Sequence, residues 1–244
     1  MSTEAREAKK ALRKDIKQRL ATHDDKDVAA QSLKAQQTVL SLPQYKAAKR
    51  ISIYLSMPTG EAQTNGLVRD ALLSGKQVFV PHVHSLPAGT GTGGSESAKR
   101  KKTMDMLRLR SFEEFENLHR DAWGIPCLST DSIATRENAM GGFGITGSDD
   151  TSGTSEAENE VRSGLDMTVV PGVAFDAHMN RTGHGAGFYD SFLSRLCADG
   201  KRKKPFLVGF CLAEQVLPTG RLVMQNWDQK VDAVAVGDGR FLTS

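Results

Sequence analysis

Residues 167–191 read MTVVPGVAFDAHMNRTGHGAGFYDS. Thr168, Val169 and Val170 form a β-branched run closed by Pro171 and Gly172, which predicts a buried strand ending at the edge of a sheet. Gly183, Gly185 and Gly187 follow. Lacking a Cβ, they let backbone N–H groups turn toward an anion, with the positive end of a helix behind them. Arg181 adds a full charge and is expected on an exposed loop. The helix that starts near Gly187 packs through Phe188, Phe192, Leu193 and Leu196 and carries Asp190 in its first turn. There a carboxylate suits a divalent cation beside bound phosphates. Strand, glycine loop and helix in this order predict an α/β fold that holds phosphate.

The unit is neither of the common phosphate loops. No Gly-Lys-Ser/Thr follows the glycines, and GHGAG lacks the spacing of GxGxxG. On the glycines alone, a surface turn with a solvated Arg181 remains an alternative.

Working outward, Ala5 to Leu20 reads as an amphipathic helix with Leu12, Ile16 and Leu20 on one stripe. At about 100° per residue Lys9 falls in the same sector, with Arg13 at its border, while Lys10 and Lys14 point away. An inward lysine must snorkel or find an anion. A second helix is expected over Val28 to Leu40, ended by Pro43. Then come a strand at Ile51 to Leu55, a helix at Thr64 to Leu73, a strand at Val78 to Val80, and a strand at Met104 to Leu109. Phe206 to Leu212 and Val231 to Val236 complete the sheet. The β, loop, α, β alternation predicts a mostly parallel sheet flanked by helices, a three-layer Rossmann-like arrangement with the site at the C-terminal ends of its strands.

The strings PGVAFD and NRTGHGAGFYD resemble the C-terminal signature of the 5-formyltetrahydrofolate cyclo-ligases, PG-x-x-FD followed by R-[LI]-G-x-G-x-G-[YF]-YD. Residues 9–13, KKALR, resemble that family's first motif, and GEAQT at 60–64 resembles its G-E-[IV]-x-T element. DAWGIP resembles its tryptophan-containing loop, and WDQKVD its HD-x-x-[VL]-D ending, with Trp227 in place of histidine. The resemblance implies an ATP- and Mg2+-dependent ligase that converts 5-formyltetrahydrofolate, polyglutamylated or not, to 5,10-methenyltetrahydrofolate. It implies ATP contacts from Lys9, Lys10, Arg13, Arg181, Gly183, His184, Gly185, Ala186, Gly187, Phe188 and Tyr189. Folate contacts are implied for Leu55, Met57, Glu61, Trp123 and Tyr189, and Mg2+ ligation for Asp190 and Asp232. Arg181, Tyr189 and Asp190 are the implied catalytic residues. Taken alone, Glu61 reads as a solvated residue near a helix start, Trp123 as a core or rim aromatic, His184 as solvated, and Asp232 as a strand-start residue. Ala186 stands where many members have lysine or glycine, and Thr182 where they have leucine or isoleucine.

At 244 residues and 39% hydrophobic content, one domain spanning 1–244 is expected. Two stretches poor in large apolar residues, 85–102 and 141–164, read as flexible insertions. No apolar run approaches the roughly 20 residues a bilayer requires, and the charged start, MSTEAREAKK, does not read as a secretory or mitochondrial leader. Cys127, Cys197 and Cys211 form no CxxC, so a reducing cytoplasmic setting is expected. KRKK occurs at 99–102 and 201–204, but a net charge of +3 and no accompanying aromatic platform argue against nucleic acid. A monomer is expected. A small-molecule kinase, a non-catalytic folate or nucleotide sensor and an RNA-associated module remain as alternatives.

Overall fold

The computed structural model describes residues 3–86, 101–146, 164–198, 200 and 202–243. Its sequence of elements opens with three helices, α1 (Thr3–Leu20), α2 (Asp25–Ser41) and α3 (Pro43–Ala47). Then come β1 (Arg50–Ile53), α4 (Asn65–Leu73), β2 (Gln77–Ser85), β3 (Lys102–Leu109), α5 (Phe112–Glu116), β4 (His119–Arg120) and β5 (Pro126–Cys127). The C-terminal half supplies β6 (Met167–Val170), β7 (Ala174–Asp176), β8 (Arg181–Thr182), α6 (Phe188–Leu196), β9 (Phe206–Cys211), β10 (Val216–Leu217), β11 (Ala233–Val236) and β12 (Phe241–Thr243).

The main sheet has 7 strands in the order β12-β11-β9-β6-β1-β2-β3. Its neighbours from β11 through β2 are parallel, and β12 and β3 close the edges antiparallel. Alternation along the strands feeds two cores. Ile51, Ile53, Val78, Val80, Val169 and Val208 pack with Val28, Ala35 and Val39 of α2 and Leu67, Val68 and Ala71 of α4. Phe79, Met104, Met106, Val170, Leu207 and Val234 pack on the other side with Phe192, Leu193 and Leu196 of α6. The three-layer α/β architecture expected from the sequence is the observed one.

Several boundaries differ from expectation. Asp24 caps α2 by accepting from Asp27 N at 2.8 Å, which moves its start forward, and Pro43, expected only to stop a helix, opens α3 at its first position. β2 runs on to Ser85 despite Pro81. β1 pairs with β2 only through Phe79, so the missing N–H of Pro81 costs no bond to β1, and the extension is held by β3.

The expected flexible stretches are partly ordered. Ser85 pairs with Lys102 at the end of the hairpin, and Leu86 N donates to Lys101 O at 3.0 Å. Residues 141–146 are also held: Asn138 Nδ2 donates to Gly144 O at 2.9 Å, and Thr146 docks on Asp105. The rest, 87–100 and 147–163, lies outside the described residues. In the second KRKK run Arg202 donates to Met140 O at 3.0 Å, so at least one of its cations serves the fold.

Asp105 is fully buried on β3. It accepts from Thr146 N at 2.6 Å, Thr146 Oγ1 at 2.8 Å and Arg195 Nη1 at 3.2 Å, and meets His84 Nε2 at 2.9 Å. Burial pushes its carboxyl up, but the bonds from Thr146 and His84 and the charge of Arg195 together hold it below the ordinary value. Its protonated form is therefore favoured more in the unfolded chain, so stability rises with pH through the window between the depressed folded value and the unfolded one. The contribution is present above the ordinary aspartate range and is lost as pH falls through the folded value. Asp105→Asn is expected to cost about 1–3 kcal/mol at neutral pH and to flatten the acid limb of unfolding midpoint against pH. Thermal melts from neutral to strongly acidic pH check this; an unchanged acid limb refutes it.

Candidate active site

The C-terminal edge of the parallel strands carries a small sheet, β10-β7-β8, that sets the glycine loop. β8 pairs antiparallel with β7, so Arg181 starts from a fixed backbone rather than a free loop. Its side chain is buried, contrary to the exposed position expected. Nη2 donates to Asp190 Oδ1 at 2.6 Å and Nη1 to Pro171 O at 3.3 Å, tying the end of β6 to the first turn of α6. Gly187, at φ 69°, enters the helix from the left-handed region that glycine tolerates. Among the described residues, no backbone N–H of 183–187 donates to a protein acceptor. These amides, at a helix start, are available to an anion.

α1 closes the other wall. Lys9 is buried with Ile16 and Leu20 on its inward face, as the periodicity predicts, and its ammonium pairs with Asp228. The inward lysine has therefore found an anion rather than snorkelled. Arg13 Nε donates to Gly183 O at 2.8 Å, and its guanidinium lies so close to Gly185 that a Cβ there would sit 3.4 Å from Cζ. Burial lowers the Arg13 pKa and the charge of Asp228 opposes that shift. Arg6, Lys9, Arg13, the three loop glycines, Asp190, Trp227 and Asp228 line one cavity of about 420 Å³. Lys10 is exposed and outside this lining; His184 and Ala186 are exposed on the loop, and Phe188 packs half-buried at the start of α6.

Asp232 is not among the lining residues, contrary to its expected place beside Asp190. Its Oδ2 accepts from Leu207 N at 2.7 Å, fixing the start of β11 against β9 at the opposite edge of the sheet. The acid that reaches the cavity is Asp228, four positions earlier, which sequence reasoning missed. Asp190 spends Oδ1 on Arg181 and on Gln229 N at 2.9 Å, and Asp228 spends Oδ2 on Lys9 and on Gln225 N at 2.7 Å. The other oxygen of each has no protein partner among the described residues. Two half-free carboxylates beside a phosphate cradle suit Mg2+, which takes one or two carboxylates and completes its shell from phosphates and water.

Across the loop stands Glu61, buried, with Oε2 accepting from Met57 N at 3.0 Å and Oε1 3.9 Å from His184 Nε2. The Tyr189 hydroxyl is buried and has no hydrogen-bond partner among the described residues. Burial first, then the charge of Glu61, raises the pKa of both Tyr189 and Tyr54, so both phenols are neutral. Tyr54 donates to Ala62 O at 2.8 Å; Tyr189 is a donor waiting for an acceptor. Leu55 is buried and Met57 half-buried at the same strand end. Trp123 is 76% exposed, so it is a rim aromatic and not a core one. Its neighbour Gly124 touches Pro58, where a Cβ would come within 2.6 Å, and this contact sets the tryptophan loop against the Glu61 loop.

The glycine loop and its two carboxylates thus lie beside a second set of groups, the Glu61 carboxylate, which faces His184 of the loop, and the Tyr189 phenol. The family model described as 5-formyltetrahydrofolate cyclo-ligase family matches residues 5–237. A mouse protein named 5-formyltetrahydrofolate cyclo-ligase is 32% identical, over 95% of this chain and 94% of its own. A probable 5-formyltetrahydrofolate cyclo-ligase of Schizosaccharomyces pombe is 30% identical, over 93% of both chains. Among solved structures, the 5,10-methenyltetrahydrofolate synthetase of Aquifex aeolicus shares the fold with a TM-score of 0.61 at 24% identity, covering 96% of this chain and 92% of its own. On this agreement of fold, motif and relatives, the chain belongs to the 5-formyltetrahydrofolate cyclo-ligase family of enzymes.

Proposed function

We propose that this enzyme uses Mg-ATP to close 5-formyltetrahydrofolate into 5,10-methenyltetrahydrofolate, releasing ADP and phosphate. The observation that carries the reading is the convergence of Lys9, Arg13, Gly183, Gly185 and Gly187 on one cavity that also holds Asp190 and Asp228, with Arg181 outside the lining and bonded to Asp190.

The formyl group on N5 is an amide, and its oxygen is a poor leaving group as hydroxide. Attack of the formyl oxygen on the γ-phosphorus of ATP breaks the bond to the bridging oxygen and releases ADP. N10 then adds to the phosphorylated, iminium-like carbon, loses its proton, and the C–O bond breaks to expel phosphate. The substrate supplies both nucleophiles, so the protein's part is alignment and charge stabilisation. Lys9, Arg13, Arg181 and the glycine-loop amides hold the triphosphate. Asp190 and Asp228 would hold magnesium through their unpartnered oxygens, and the ion would offset the charge of the phosphates. Glu61 accepts from the pterin's amino and ring N–H groups as a charge-assisted pair. Tyr189, kept neutral by burial, donates to a folate or phosphate oxygen.

Turnover of the purified chain with 5-formyltetrahydrofolate and Mg-ATP, followed by methenyltetrahydrofolate absorbance, tests this. Product is expected only when ATP and magnesium are both present, with free phosphate formed in equal amount. A stable phosphorylated product indicates a kinase instead, and binding of both ligands by folded protein without turnover indicates a sensor.

A further inference from the structure

Between β1 and α4 the chain turns through Ser56 to Gln63, and one side chain ties that loop together. Gln63 Nε2 donates to Met57 O at 2.8 Å and to Glu61 O at 2.9 Å, while Oε1 accepts from Ser56 Oγ at 3.2 Å. Carbonyls only accept, so two of them on one side fix which way the amide points. The main chain of Gln63 is anchored from outside the loop: its N–H donates to Ser32 Oγ at 2.9 Å, and its carbonyl accepts from Gln36 Nε2 at 2.8 Å, both on α2. Met57 N in turn donates to Glu61 Oε2 at 3.0 Å. Glu61 is thus held twice, its carbonyl by Gln63 and its carboxylate by Met57, whose own carbonyl is also held by Gln63. Glu61 Oε1 is left facing His184.

We infer that Gln63 is a positioning residue that sets the orientation of the Glu61 carboxylate, and through it the affinity for the folate substrate, without touching that substrate. The inference rests on the assignment of Glu61 to the folate. Glutamine supplies two N–H donors and an acceptor at this length; glutamate would face two carbonyl oxygens with acceptors alone, and methionine fills the volume but donates nothing.

The test is steady-state kinetics of the full chain for Gln63→Met, Gln63→Glu, Glu61→Gln and Tyr45→Phe. Both Gln63 variants are expected to raise the folate KM about 5- to 20-fold, with ATP KM and saturated kcat within about twofold of wild type. Tyr45→Phe removes the 2.6 Å bond to Asp70 between α3 and α4 and serves as the stability control: a lower melting midpoint with both KM values unchanged. Should Gln63→Met fail to fold, Ser56→Ala, which removes the partner of Oε1 together with the 3.3 Å acceptor of Thr64 N, is expected to give a smaller rise of the same selective kind. A rise in both KM values, or a fall in kcat alone, overturns the inference. An unchanged folate KM in the Gln63 variants beside a raised one in Glu61→Gln overturns it while leaving the assignment of Glu61 standing. No change in any of the three overturns that assignment and the inference with it.

Discussion

Arg181→Ala is expected to abolish measurable turnover and to lower the unfolding free energy by about 3–5 kcal/mol. From the sequence, an arginine beside a glycine loop is expected to be exposed, and its loss to damage ATP use far more than folding. Burial of Arg181 against Asp190 changes the second half of that expectation. Removing the guanidinium leaves a largely buried carboxylate with Gln229 N as its remaining partner, and it also cuts the link from Pro171 to α6. Arg181→Lys separates the two effects. It keeps the charge but not the fork that reaches Asp190 and Pro171 together, so it is expected to fold with a smaller loss of stability while still turning over poorly. Chemical denaturation and turnover measured on the same preparations decide the matter. Wild-type turnover in Arg181→Ala removes the glycine loop from the phosphate site, and wild-type stability removes the buried pair from the fold.

The fold was legible because its strands are short apolar runs buried on both faces, as Met167–Val170 and Ala233–Val236 are, and because the helices between them carry clear stripes. What was hidden was held by long-range partners. β2 beyond Pro81 exists because β3 pairs with it, and residues 141–146 are ordered because Asp105, far away in sequence, offers them a buried carboxylate. Neither leaves a local signal. The inward position of Lys9 was readable from helix phase, whereas its partner was not, since nothing local marks Asp228 as the acid that meets it. Asp232 offered a cue that was available and not used: it directly precedes an apolar parallel strand, and the start of such a strand lies at the edge opposite the site. The tie made by Gln63 was invisible for the reason Asp105 was, because a glutamine in a loop shows its donors and not its acceptors.

Glu61→Gln is expected to raise the folate KM about 10- to 150-fold, the loss of a charge-assisted contact of about 1.5–3 kcal/mol, while the ATP KM stays near wild type. The substitution is nearly isosteric, and a carboxamide oxygen can still accept from Met57 N, so the loop is expected to keep its shape and the melting midpoint to move little. What disappears is the ability to accept two N–H donors at once with a negative charge. Tyr189 tells whether Glu61 and the glycine-loop helix act on one ligand. Its hydroxyl is buried without a partner, and the nearby charge of Glu61 adds to the burial that keeps it protonated. If one bound folate engages both groups, the losses in Glu61→Gln and Tyr189→Phe couple, and the double variant is less impaired than the product of the singles. Strictly multiplicative losses mean that the two side chains contact separate ligands, which would assign Tyr189 to the phosphate cradle formed by Arg181 and the glycine loop.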